Sequence, residues 1–210
     1  MQPVLFFLPD LQIESLSLLG TLISFILFMF TLPEWIKVRW KEKEAWQAIG
    51  LFGFGKTRLW ETFMKGIAFA FSLIAILILL ILLCSFGEWS GDLNFYNLLN
   101  AVLLGIGVGL AEELIFRGWL WGELNYLFGP RLGIFIQAAI FSLVHIRFEL
   151  DSLPLLGLLL GLFLFGLILA LRRFIDRGSL WGCIGIHGGL VGVWFVCTND
   201  IVELSPEAPG

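Results

Sequence analysis

Ala111-Glu112-Glu113-Leu114-Ile115-Phe116-Arg117-Gly118 sets two adjacent carboxylates and a guanidinium inside a long apolar segment. No charged residue occurs from Leu93 to Ala111, and Trp119, Leu120 and Trp121 follow the motif. An ionisable side chain at bilayer depth costs about 2.5–3.5 kcal/mol on insertion scales, so such residues face a polar interior and mark function by default. The flanking composition makes the surroundings a membrane. The chain has 210 residues, 59% of them hydrophobic and 14% charged, with a mean hydropathy of +0.93. That balance describes a polytopic membrane protein and excludes a soluble enzyme domain.

Working outward, runs of about 20 mainly apolar residues read as membrane-spanning helices. They cover about Ser15–Leu32, ending at Pro33, then Gly66–Phe86, Asn97–Phe128, Leu132–Ile146, Leu153–Leu171 and Ser179–Cys197. The expected fold is all-α, a transmembrane bundle of about six spans in a single membrane domain, residues 1–210. The N-terminus has no Lys or Arg before Lys37 and lacks the basic region of a secretory signal, so its first apolar segment reads as a retained helix. The tail after Asn199 is short and acidic and reads as a solvated end.

Basic residues set the orientation. Lys37, Arg39, Lys41, Lys43, Lys56, Arg58 and Lys65 lie in the first connection, Arg131 follows the third span, and Arg172, Arg173 and Arg177 follow the fifth. The second connection, Gly87–Leu93, has none. This alternation places the basic connections in the cytoplasm and both termini outside it. Trp35, Trp40, Trp46 and Trp60 are interleaved with the first basic cluster, so residues 34–65 read as a cytoplasmic loop lying on lipid headgroups.

Gly50-Leu51-Phe52-Gly53-Phe54-Gly55-Lys56-Thr57 matches the phosphate-binding pattern G-x-x-x-x-G-K-T. That pattern works between a strand and a helix of an α/β sheet, and no such alternation follows here. No nucleotide or nucleic-acid partner is expected. Cys84, Cys183 and Cys197 are odd in number and scattered through apolar segments, which argues against a disulfide framework.

The two histidines, His145 and His187, both fall in apolar spans. Phe128-Gly129-Pro130 ends one helix and begins another, so the third and fourth spans form an antiparallel hairpin centred near residue 129. In such a hairpin Glu112 and Glu113 lie level with His145, roughly 24 Å along the helix from the turn. His187 falls about two turns from that level and needs helix tilt to reach it. Glu113 and Arg117 are spaced i,i+4 with the acid first, the favourable order for a helical ion pair. Glu112 points about 100° away with no such partner. A desolvated carboxylate of that kind has the character of a general acid or base. The bland alternatives are a buried polar knot joining helices and histidines satisfied between helices. Gly118-x-x-x-Gly122, Gly157-x-x-x-Gly161 and Gly188-Gly189 read as packing faces.

Three motifs resemble the CPBP intramembrane glutamic endopeptidases, also called the ABI or type II CAAX prenyl protease family. They are Glu112-Glu113-Leu114-Ile115-Phe116-Arg117, Phe141-Ser142-Leu143-Val144-His145 and the segment beginning at His187. The likeness spans about residues 101–194, and Trp46-Gln47-Ala48-Ile49-Gly50-Leu51 resembles a stretch upstream in bacterial members. The resemblance implies an intramembrane endopeptidase acting on membrane-associated proteins or peptides, with Glu112 activating water. It further implies that His145 orients the water or protonates the leaving amine and that His187 donates to the oxyanion. Glu113, Arg117 and Phe141 are then supporting residues. The family carries Asn four residues after the third-motif histidine, and this chain has Val191 there; Gln137 is a candidate substitute. No cofactor is expected. A Zn²⁺ held by both histidines and a glutamate is the alternative mechanism. A noncatalytic membrane binding or immunity protein and an ion or proton transporter are the alternative functions. The short chain resembles bacterial members, which implies an integral protein of the plasma membrane, with a thylakoid membrane as the variant location.

Overall fold

The computed structural model describes residues 13–53 and 55–205. Among the described residues seven α-helices run in chain order: α1 (Ile13–Arg39), α2 (Ala45–Ala48), α3 (Lys56–Leu83), α4 (Phe95–Glu113), α5 (Trp121–Leu143), α6 (Ser152–Ile175) and α7 (Trp181–Val196). A π-helical segment, Leu114–Leu120, joins α4 to α5 without a break, and a second one, Cys197–Ile201, extends α7. Two short strands, β1 (Gly87–Trp89) and β2 (Val202–Leu204), pair antiparallel. The chain divides into two compact units, Met1–Ala45 and Trp46–Gly210.

The first unit contains α1. This helix does not end at Pro33 as expected but continues to Arg39. Proline frees the carbonyl four residues earlier, that of Met29, and apolar membrane helices tolerate such an interruption. The basic connection is correspondingly shorter than 34–65, because α1 and α3 carry many of its cations on their ends.

Among the described residues five helical runs are long and apolar enough to cross a membrane. One of them, Phe95–Leu143, has 49 residues. A straight helix of that length would reach roughly 74 Å, more than twice a hydrocarbon core of about 30 Å. It reverses instead. Gly129 has φ 81° and ψ 164°, a conformation natural to glycine, and Pro130 follows. A Cβ added to Gly133 would lie 3.1 Å from the Asn125 backbone nitrogen, although eight residues of straight helix span about 12 Å. The expected third and fourth spans are thus the two arms of one hairpin, and six apolar segments occupy five runs. The second arm ends at Leu143 rather than Ile146.

Helix α7 is the centre of the second unit, with Gly182 through Gly189 buried. Small residues let its neighbours approach to backbone contact. A Cβ on Gly109 of α4 would meet Gly188 Cα and N and Ile184 O, each at 2.9 Å. A Cβ on Gly192 would meet Ala101 O at 2.7 Å. On the other flank, Gly66 of α3 faces Gly185 Cα at 3.0 Å, and Gly189 faces Ala70 Cβ at 2.8 Å. Gly188-Gly189 therefore packs, as its pattern suggests, one glycine against each neighbouring helix. Gly118 also packs, against Leu180 and Ile49. Gly157 and Gly161 do not: both open onto empty space, because α6 meets the second hairpin arm through Gly166 and Ala138 instead. Replacing Gly188 by Val should cost about 1–3 kcal/mol through overpacking and separate α4 from α7. Gly161→Val should change nothing. Detergent unfolding of the two variants checks the contrast.

Long apolar side chains remain exposed along α3, α4 and α6, among them Leu79, Leu83, Leu103, Ile106, Leu160 and Leu164. In water such a surface would aggregate; against acyl chains it is the ordinary boundary of a bundle.

The connections are tied at both ends. Asp200 accepts from the Asn94 amide (3.0 Å) and from Asn97 Nδ2 (2.5 Å), which anchors the end of α7 on the start of α4. The segment after Asn199 is therefore built into the fold through Ser205 and is not a solvated end; Pro206 and beyond lie outside the described residues. At the opposite end, Leu180 N donates to Gly50 O (2.9 Å) and Trp181 Nε1 to Leu51 O (2.8 Å). The loop from Trp46 to Leu51 is thus fastened onto the α6–α7 turn. Within the phosphate-binding look-alike, Gly50 N, Leu51 N and Phe52 N all donate to carbonyls of Trp46 or Gln47, so they form no open cradle. Phe54 and the Thr57 side chain of that pattern lie outside the described residues. Cys84, Cys183 and Cys197 are free thiols.

Candidate active site

The hairpin brings the first two motifs together. Glu112 Oε2 lies 3.3 Å from His145 Nε2, a pair 33 positions apart in the chain and centred on the Gly129 turn. The same register sets Phe116 edge-on against Phe141, with ring centroids 5.1 Å apart, and seats the Arg117 guanidinium 4.1 Å from the Phe141 ring centre. The two-turn mismatch expected for His187 is closed by the glycine contacts. Gly109 meets Gly188, and one turn beyond Gly109 stands Glu113, whose Oε1 is 2.7 Å from His187 Nδ1. His187 Nε2 then points toward Glu112 Oε2 at 3.8 Å.

Both imidazoles are held by the same ring atom. His145 Nδ1–H donates to the Phe141 carbonyl at 2.7 Å, and His187 Nδ1–H donates to Glu113. Each therefore turns its Nε2 toward Glu112, as second-position hydrogen bonds do for catalytic and metal-binding histidines alike. Glu113 is bonded on two sides, since its Oε1 also accepts from Arg117 Nη1 at 2.8 Å. Glu113 and Arg117 are wholly buried, whereas Glu112 and His145 keep 27% and 33% of their side chains exposed. The buried pair joins the first hairpin arm to α7 through His187. The sequence reading joined Glu113 to Arg117 alone; its second bond, to His187, depends on the α4–α7 approach and has no local signal.

Aromatic rings close the site. Phe141 lies 4.7 Å from the His145 ring and 5.9 Å from His187, and Phe165 of α6 meets His187 edge-on at 5.5 Å. Phe116 and Phe165 were not separable from core residues by sequence. Gln137, the candidate for the missing third-motif Asn, donates Nε2 to Gly166 O (3.2 Å) and so joins α5 to α6. It stands two turns from His145, and Val191 has no polar replacement from it. Among the described residues no group of three His, Cys, Asp or Glu side chains has the arrangement of a metal centre.

Arg173 was read only as an orienting charge. Its guanidinium donates to Arg117 O, to Ile49 O (2.9 Å) and to Gly178 O (3.1 Å) and lies over the Trp121 ring. A π-helix displaces carbonyls from the α ladder and is frequent at functional sites. Arg173 satisfies one of those carbonyls and binds the Trp46–Leu51 loop to it. Arg173→Gln should cost about 1.5–3 kcal/mol, the worth of hydrogen bonds from a charged donor. Arg173→Lys should rescue little, since one ammonium cannot span three carbonyls as a planar fork does. Unfolding midpoints and proteolytic nicking of the loop would register both losses.

An all-helical membrane protein with a glutamate and two histidines converging between a hairpin and a glycine-packed helix is the class that fold and site define. Residues 94–193 match the family profile described as type II CAAX prenyl endopeptidase Rce1-like. Over these residues, a little under half of its length, the chain is similar to the CPBP, or CAAX protease, family, and its five long apolar helical runs mark an integral membrane protein. Residues 1–44 match a second profile, a domain of unknown function, and they coincide with the first compact unit. No curated protein and no solved structure matches the chain.

Proposed function

We propose that the protein is an intramembrane glutamic endopeptidase in which Glu112 activates the hydrolytic water. The observation that carries this reading is the convergence of His145 Nε2 and His187 Nε2 on Glu112 Oε2, an atom without a hydrogen-bond partner of its own. With Nδ1 donating to Phe141 O, a neutral His145 presents a lone pair at Nε2, and one water that donates to both Glu112 Oε2 and His145 Nε2 satisfies these two facing acceptors.

Glu112 takes a proton from that water as its oxygen attacks the scissile carbonyl carbon. His145, held by Phe141 O, orients the water, accepts that proton from Glu112 at Nε2 and passes it to the leaving amine. His187 carries a proton on Nε2 when charged, and donates it in a hydrogen bond to the carbonyl oxygen as negative charge develops there. Glu113 stabilises that charged imidazole, and its bond supplies the orientation that the family Asn would have supported at position 191. Phe116, Phe141 and Phe165 exclude bulk water.

The substrate is membrane-associated. An apolar cleft of about 550 Å³ lies among α3, α4 and α7, with Gly188 and Gly189, the residues after His187, in its wall. It suits a prenyl group, which the family description names, or the apolar side chains of a membrane peptide. The test is cleavage by purified protein in lipid nanodiscs. A farnesylated C-terminal peptide, the same peptide without the lipid, and a membrane-spanning peptide are compared by mass spectrometry of the products. Cleavage of any that is lost in His145→Ala supports the reading. Wild-type protein that binds these peptides but cleaves none would favour a noncatalytic binding role.

A further inference from the structure

Glu113, Arg117, Trp121 and Asn125 recur every fourth residue along the first hairpin arm. Each carries a buried polar atom with no protein partner: Glu113 Oε2, Arg117 Nε and Nη2, Trp121 Nε1 and Asn125 Oδ1. A strict α-helix drifts about 40° over four residues. The wider π segment between Glu113 and Trp121 takes up that drift and keeps the four on one face. The facing arm adds a fifth residue. The register that sets Arg117 beside Phe141 and Asn125 beside Gly133 sets Trp121 level with Gln137, whose Oε1 is also buried and unpartnered. Glu113, Arg117 and Gln137 are fully buried and Trp121 nearly so.

Leaving all these groups dry would cost an amount comparable to the whole stability of a fold. The chemistry of the occupant follows from the mixture. An anion suits Arg117 and Trp121 but is repelled by Glu113 Oε2, Asn125 Oδ1 and Gln137 Oε1. A cation meets the reverse conflict. Water both donates and accepts, and buried water characteristically bridges such otherwise unsatisfied groups.

We propose that the two hairpin arms enclose a file of ordered water. It runs roughly 18 Å from Asn125 to Glu113 and ends at the partnerless Oε2 of Glu112. Resting on the peptidase reading, this file supplies the second substrate, water, to Glu112 from within the hairpin. Trp121, Asn125 and Gln137 are then positioning residues for water, and none of them touches the peptide.

X-ray radiolytic labelling of the purified protein in nanodiscs tests this, because hydroxyl radicals formed from bound water oxidise adjacent side chains even when these are buried. After correction for intrinsic reactivity, Trp121 should label within about threefold of the exposed Trp89, while the fully buried Leu169 stays at background. Asn125→Leu and Gln137→Leu should each lower Trp121 labelling at least about fivefold and reduce kcat with KM unchanged. Trp121 labelled no more than Leu169 would overturn the file, and that comparison needs no variant to fold. Labelling does not depend on proteolysis. Protein that labels as expected but cleaves nothing refutes the peptidase reading alone, and protein that cleaves with Trp121 unlabelled refutes the file alone.

Discussion

Glu112→Gln is expected to abolish peptide cleavage while leaving the protein as stable as wild type. The amide keeps the size of the side chain but cannot take a proton from water. Loss of a general base typically removes about 10²–10⁴ in rate, so kcat should fall at least about a hundredfold with substrate binding retained. Stability should not follow, because Glu112 is partly exposed and its neighbours His145 and His187 stay anchored through Nδ1 to Phe141 O and Glu113. Cleavage kinetics and detergent unfolding on the same preparation check both halves. An active Glu112→Gln protein would sink the assignment of the base.

Glu113→Ala is expected to do the opposite in kind, damaging fold and activity together. Glu113 is wholly buried and accepts from both Arg117 and His187. Its removal strands the Arg117 guanidinium in an apolar interior and frees the His187 ring. Breaking a buried ion pair by deleting one partner costs about 3–5 kcal/mol. Glu113→Gln should recover part of the stability, because the amide oxygen still accepts, but not the activity, because a neutral group no longer stabilises a charged His187. The adjacent glutamates thus separate by experiment: one variant folded and inactive, the other unstable and inactive. Equal stability losses at the two positions would contradict the division of labour.

That division was only half legible in the chain. The hairpin was readable because its determinants are local. Phe128-Gly129-Pro130 marks the reversal, and the constant rise of a helix converts sequence distance from the turn into depth. Glu112, Phe116 and Arg117 accordingly meet His145 and Phe141 as that register requires. The position of His187 was not readable with the same certainty. Its depth depends on which helix the glycines of α7 choose as a partner, and the small-residue signal names a face without naming its mate. The contact of Gly109 with Gly188 supplied the missing two turns.

Most of the misreadings share one cause. Arg173 looked like a topological charge because sequence displays its sign and not the three carbonyls that it joins. Pro33 looked like a helix end because the rule describes helices in water, and in lipid a helix carries on past it. Asp200 looked like part of a solvated tail because its partners, Asn94 and Asn97, lie about a hundred residues away. Gly157 and Gly161 had the spacing of a packing face but were left over when α6 docked through Gly166. Local geometry was readable; partner choice between helices was not.

The most direct test of the Glu112-centred site is a single-turnover cleavage of one membrane peptide in nanodiscs, run with wild type, Glu112→Gln and His145→Ala in buffer stripped of metal by a chelator. The expected result is wild-type cleavage unaffected by the chelator, and none by Glu112→Gln. His145→Ala should be slower by about 10²-fold or more. Wild-type activity that disappears with the chelator and returns with zinc, or cleavage that survives in Glu112→Gln, would contradict water activation by Glu112.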